Sequence, residues 1–280
     1  MGEATTVRGF CRRILERGDL DAKLAPPAGM LCDAAPGPAL VFERPTRDPE
    51  ISLAGGAARL PRPNALGNPA ARAACLARFA HHELMAVELF AWALLRWPEL
   101  PGPLRAGWLA VLQDEQRHCR LYLQRLAQHG QSLADHPRSD YFWRQVAAIE
   151  RSPHGPRAFV AALGLTLEQA NLDFAALYAA GFRAAGDDPS ADVCEQVHAD
   201  EVRHVRLAAN GLRRLAPAAD DLDAYLEAVP FPLGPARAKG RRFDLAARRR
   251  AGLSERFIEA VRDAKPDLGG RRGKRERSRR

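Results

Sequence analysis

The sequence predicts an all-α protein: a four-helix bundle of two antiparallel hairpins joined by one long crossover, with irregular N- and C-terminal extensions. Three observations predict it. The octapeptide DEQRHCRL at 114–121 recurs as DEVRHVRL at 200–207, 86 residues further on, so the chain holds two related halves. Four long segments carry apolar residues at helical spacing. Their connections run short, long, short, the order expected of two tight hairpins and one crossover.

Residues 1–67 are rich in Pro, Gly and Arg, as in LAPPAGM and RLPRPNALGNP, and are expected to wrap the bundle as an irregular arm, with a short amphipathic helix at about 5–18. The bundle is assigned to 68–215. Its first helix covers about 69–97 and stops at PELPGP, a connection so short that the second helix, to about 128, must return antiparallel. Residues 129–155 form the crossover, with a short helix expected around 139–150. A third helix at about 156–185 meets a fourth at about 190–215 through GDDP. The extension at 216–267 is expected to act as structural cover, with short helices around 222–228 and 254–264. Residues 268–280 are expected to be a disordered basic tail. Its last ten, RRGKRERSRR, supply +6 of the chain's +8, so the body is nearly neutral and the tail is the candidate contact for RNA or another acidic partner.

The length of 280 residues and 46% hydrophobic content suit one sizeable core. No stretch is long and apolar enough to span a membrane, and MGEATTVRGF lacks the apolar run of a secretion signal, so a cytoplasmic location is expected. The five cysteines are scattered without a Cys-x-x-Cys, which points to neither a disulfide framework nor a rubredoxin-type iron site.

The repeat carries chemistry. On a helix, Glu115 and His118 lie roughly 60° apart around the axis and about 4.5 Å along it, so both can grip one metal ion; Glu201 and His204 repeat the arrangement. Glu83 lies 32 residues before Glu115, and Glu168 lies 33 before Glu201. All four glutamates sit on apolar stripes, such as Trp108, Val111, Tyr122 and Leu126 around Glu115, or Leu76, Ala80, Val87 and Phe90 around Glu83. They should therefore point inward. Four buried carboxylates repel one another and take up protons, whereas two divalent cations would cancel their charge. Glu88 is the competing carboxylate on the first helix, but five residues turn it by roughly 140° from Glu83. Its 27-residue distance to Glu115 also breaks the repeat.

With these residues the chain resembles the ferritin-like di-iron carboxylate superfamily, whose bundle gives a Glu from each of two helices and a Glu-x-x-His from each of the others. HHELMAVELFAWALL at 81–95 and LEQANLDFAALY at 167–178 are similar to an uncharacterised bacterial family of ferritin-like domain proteins. The resemblance implies Glu83, Glu115, His118, Glu168, Glu201 and His204 as ligands of two iron ions, or of a manganese–iron pair. The Asp-Glu-x-Arg-His form resembles that of di-iron oxygenases, desaturases and ribonucleotide reductase small subunits. It implies that Asp114 and Asp200 accept the outer N–H of the metal-bound histidines and that Arg117 and Arg203 pair with those aspartates. Asn171 and Glu88 are further expected partners of the ligands, and His198 is a candidate extra ligand. His81 and Asp173 are weaker candidates for the same supporting role, and Tyr122 for electron relay.

The implied activity is that of an oxygenase or oxidase using dioxygen and an external electron donor on an organic substrate. A tRNA-hydroxylase-like RNA modification, aided by the tail, is an alternative. A non-catalytic metal-binding or iron-handling scaffold is another, although arms of this size would hinder assembly into a storage shell.

Overall fold

The computed structural model describes residues 5–53, 56 and 59–265, and the tail expected at 268–280 lies outside them. The described residues are helices and loops without a strand, and a single β-bridge joins Thr6 to Cys32. Helix α1 (Val7–Glu16) starts at Thr6, whose hydroxyl accepts from Gly9 N, and buries Val7, Phe10, Cys11, Ile14 and Leu15. Helix α2 (Leu20–Leu24) is a single turn that the sequence reading does not anticipate.

Two long hairpins follow. Helix α3 (Pro69–Arg96) opens with Asn68 as N-cap and Pro69 in its first turn, and α4 (Gly102–Gln128) packs along it. The crossover holds the short α5 (Val146–Arg151). Helix α6 (Pro156–Phe159), a π-helical stretch at Val160–Leu167 and α7 (Glu168–Ala184) then run on as one rod. Gly186, at φ +74°, reverses the chain after α7, a conformation that favours glycine. Helix α8 (Asp188–Leu215) begins at Asp187, whose carboxylate accepts from Ser190 N. The C-terminal extension adds α9 (Asp221–Ala228), α10 (Leu245–Arg250) and α11 (Glu255–Asp263).

Two apolar cores fix the directions of the long helices. One core takes Leu76 and Ala80 of α3, Tyr122 and Leu126 of α4, Phe182 of α7 and Cys194 and Val197 of α8. The other takes Phe90 and Leu94 of α3, Leu104 and Val111 of α4, Leu172 of α7 and Val205 and Leu212 of α8. Residue numbers climb from the first core to the second in α3 and α8 and fall in α4 and α7. So α3 and α8 run one way, and α4 and α7 run the other. The crossover achieves this by passing from Leu133 in the first core to Trp143 and Ile149 in the second.

Where the sequence predicts one regular helix over 156–185, the π stretch widens the rod just before Glu168. All but the last of its residues are buried, so no polar face marks a phase in the sequence. At Gly164 an added Cβ would fall 2.4 Å from Ala208 Cβ, so the wide turn lies hard against α8. The Thr166 hydroxyl donates to the Ala161 carbonyl at 2.8 Å and meets Tyr225 Oη of α9 at 2.8 Å. No helix of the described residues is long and apolar enough to cross a membrane.

Candidate metal centre

Between the two cores lies a polar layer. Glu83 of α3, Glu115 and His118 of α4, Glu168 of α7, and Glu201 and His204 of α8 converge there, none more than 6% exposed. They form two overlapping groups. Ligand atoms of Glu83, Glu115, His118 and Glu201 lie within 4.8 Å of one another, and so do those of Glu115, Glu168, Glu201 and His204. Glu115 and Glu201 belong to both groups.

The polar atoms at the middle of this layer have no hydrogen-bond partner: both carboxylate oxygens of Glu115, Oε2 of Glu201, and Nδ1 of His118 and of His204. His204 Nδ1 lies 3.0 Å from Glu115 Oε1 and 3.4 Å from Glu201 Oε2, yet without the direction a hydrogen bond needs. Buried polar atoms left so are strongly unfavourable unless something satisfies them. Carboxylate and imidazole atoms brought this close together could hold a metal ion.

The proton balance tells the same story. Burial, reinforced by the charges of Glu115, Glu201 and Glu168, pushes Glu83 well above the usual carboxylate range. Burial and the charges of Glu201 and Glu115 do the same to Glu168. Burial disfavours the charged forms of Glu115 and His118 too, but His118 and His204 hold Glu115 below the usual range, and Asp200 and Glu115 lift His118 to about 9. Burial disfavours the charged form of His204 as well, but its hydrogen bond to Asp114 and the nearby glutamates outweigh it and raise His204 well above its usual value. Without a cation, Glu83, Glu168, His118 and His204 are driven toward their protonated forms.

The outer nitrogens are held crosswise. His118 Nε2 of α4 lies 3.0 Å from Asp200 Oδ2 of α8, and His204 Nε2 of α8 lies 3.1 Å from Asp114 Oδ2 of α4. Each imidazole thus donates its Nε2–H to the opposite hairpin, which leaves Nδ1 facing the cluster. Arg117 bonds Asp114 Oδ1 at 2.5 Å and also Asp200 Oδ2. Arg203 bonds Asp200 Oδ1 at 2.5 Å and Asp114 Oδ2 at 3.1 Å. These contacts hold Asp200 at about 2 against burial and hold Asp114 below the usual range as well.

A model of a family described as a protein of unknown function, DUF455, matches residues 15–259. The chain belongs to that family. Comparison with curated proteins and with solved structures finds no match. The matched stretch takes in all six converging residues, together with most of the N-terminal arm and nearly all of the described C-terminal extension.

On the side away from the histidines, α3 and α7 do not pack closely, while α4 and α8 do. The space between α3 and α7 is a cavity of about 430 Å³ that reaches Glu83 and Glu168 and is walled by Phe79, Ala86, Phe142, Leu167 and Phe174. Asn171 lines it and donates to Glu201 Oε1 at 2.6 Å. His82, which the sequence reading passes over in favour of His81, also lines it, stacked on Phe142 at 5.1 Å. Burial pushes the His82 imidazole down to about 3, so it is neutral. Its only signal in the sequence is adjacency to Glu83.

Three expectations need correction. Glu88 does not reach the converging residues: it is fully buried, paired with Lys23 at 3.0 Å and Arg47 at 2.8 Å, and accepts from Trp143 Nε1 at 2.9 Å. His198 is not among the converging residues; it is half-buried, and its Nε2 lies 3.1 Å from Asp244 Oδ2. Asp173, five residues after Glu168 as Glu88 is after Glu83, binds Arg248 at 2.7 Å and accepts from Gly240 N and Asp244 N. The second carboxylate of each hairpin therefore clamps a terminal extension: Glu88 the arm, Asp173 the C-terminal segment. His81 Nε2 meets the Ser139 carbonyl at 2.7 Å, tying α3 to the crossover, and Tyr122 lines the cavity with its hydroxyl 3.9 Å from Cys194 Sγ.

Proposed function

We propose that this chain is a ferritin-like di-metal carboxylate protein that binds two iron ions and uses dioxygen, with electrons from an external donor, to oxidise or hydroxylate an organic substrate. The observation that carries the reading is the set of unsatisfied, inward-facing oxygens and nitrogens of Glu115, Glu201, His118 and His204. Glu83 and His118 would hold one ion, Glu168 and His204 the other, with Glu115 and Glu201 between them. Bound as ferrous ions, the pair would supply Lewis acidity and electrons for reducing dioxygen.

The chain's own residues do the rest. Asp200 and Asp114 keep the Nε2 protons of the histidines and so fix Nδ1 as the metal-facing atom. Asn171 steadies Glu201 through Oε1 while leaving Oε2 free. The apolar and aromatic walls of the cavity line the approach to Glu83 and Glu168, the side on which a substrate would arrive. The cysteines are all free thiols, which suits a reducing cytoplasm.

Anaerobic reconstitution with ferrous iron, followed by elemental analysis and an oxygen electrode, tests the reading. Two ions per chain and rapid oxygen uptake are expected. Full loading below one ion per chain would sink the metal assignment, and reduced protein stable in air with metal retained would sink the oxidase and oxygenase assignment.

A further inference from the structure

The cavity has a polarity that metal binding alone does not explain. Its floor is acidic, formed by buried Glu83 and Glu168, and its walls are apolar. Its outer lining carries two cations from the C-terminal extension, Arg237 and Lys239. Arg237 is exposed and donates to the neutral Tyr141 hydroxyl at 3.3 Å. Further along the extension, Arg248, Arg249 and Arg256 each grip a carboxylate. Lys239 donates to the Arg262 carbonyl and lies in the field of Asp263. The segment bearing both cations is pinned by Asp173, which accepts from Gly240 N at 2.8 Å and holds Arg248, itself bonded to the Ala238 carbonyl at 2.9 Å. The cations are thus set over the opening by the same helix that supplies Glu168.

We propose that the cavity takes an amphipathic monoanion, a molecule with an apolar body and one terminal carboxylate. The carboxylate meets Arg237 and Lys239, and the body lies between Phe79, Phe142 and Phe174 with its inner end at Glu83 and Glu168. The volume of about 430 Å³ falls in the range of small-molecule sites. Burial sorts the orientation: an acid group pushed to the floor would lose its water among buried groups and apolar walls, whereas at the mouth it meets an exposed guanidinium able to bind it with two parallel hydrogen bonds. This assignment deepens the reading of the cluster as a metal centre and rests on it for its role in the reaction.

Isothermal titration calorimetry of the full-length protein, metal-free and iron-loaded, with decanoate, 1-decanol and decyltrimethylammonium tests it. Decanoate should bind about ten-fold or more tighter than 1-decanol in both forms, the margin expected of a charge-assisted pair, and the cation should bind weakest. Arg237→Gln, an exposed position, should remove that margin while leaving 1-decanol affinity and metal content unchanged; the Lys239→Gln double variant guards against one cation replacing the other. Equal binding of decanoate and 1-decanol, or a preference untouched by both substitutions, would overturn the proposal even where two ions bind per chain. A preserved preference in a chain that takes up no metal would support the anion site and refute the metal reading alone.

Discussion

Asp200 and Asp114 decide how firmly the imidazoles are aimed, because each receives the Nε2 proton of a histidine on the other hairpin. Asp200→Asn keeps the shape and removes the charge. It should weaken metal retention by about 10- to 100-fold, read by competition with a chelator. The two glutamates of α3 should separate cleanly. Glu83→Ala should remove about one ion per chain, since its carboxylate converges with Glu115, His118 and Glu201. Glu88→Ala should keep both ions but strand the buried charges of Lys23 and Arg47, costing about 3–5 kcal/mol in denaturant unfolding. The reverse pattern would show that the roles of these two carboxylates are exchanged.

At the scale of the element, the π stretch and the two clamps are the features most open to test. Gly164→Ala would drive a methyl group into Ala208 of α8, and a loss of about 1–3 kcal/mol is expected as the rod is forced off α8. Because Glu168 is the first residue after the stretch, the same change should lower metal content more than an equally destabilising change elsewhere. Asp173→Ala should leave Arg248 buried without its carboxylate and free the segment around Gly240. Amide exchange should then rise across α10 and α11 while α3 and α4 stay protected; uniform loss of protection would show the extension to be part of one cooperative unit.

The whole molecule is two related hairpins whose meeting layer is electrostatically unfavourable without a cation. Glu83, Glu168, His118 and His204 all bind protons more tightly folded than unfolded. The stabilisation that protonated His118 contributes is complete below 6.5, its ordinary value, and is lost as pH rises through about 9; Glu83 and Glu168 act in the same direction from the ordinary carboxylate value of 4.5 upward. The metal-free protein should therefore lose thermal stability as pH rises from 6.5 to about 9, and metal affinity should rise over that window because binding expels protons. Calorimetry of metal-free and loaded protein checks both signs. A metal-free midpoint that climbs with pH would contradict them.

The all-helical fold was legible in the sequence, because apolar residues recur at helical spacing and short connections leave a helix no course but to turn back. The residues that converge were legible too: a repeated Glu-x-x-His on inward stripes can place its ligands at only one level of each helix. Periodicity describes one helix at a time, however, and says nothing of what lies opposite. Glu83 and Glu88 are both buried glutamates on α3, and only the packing of the arm shows that Glu88 faces Lys23 and Arg47. The exchange of Asp114 and Asp200 between hairpins, the π turns in an almost wholly apolar run, and the cavity with Arg237 at its mouth were likewise decided by the tertiary structure. Each depends on contacts between segments far apart in the chain, made when the two cores close and bring those segments together.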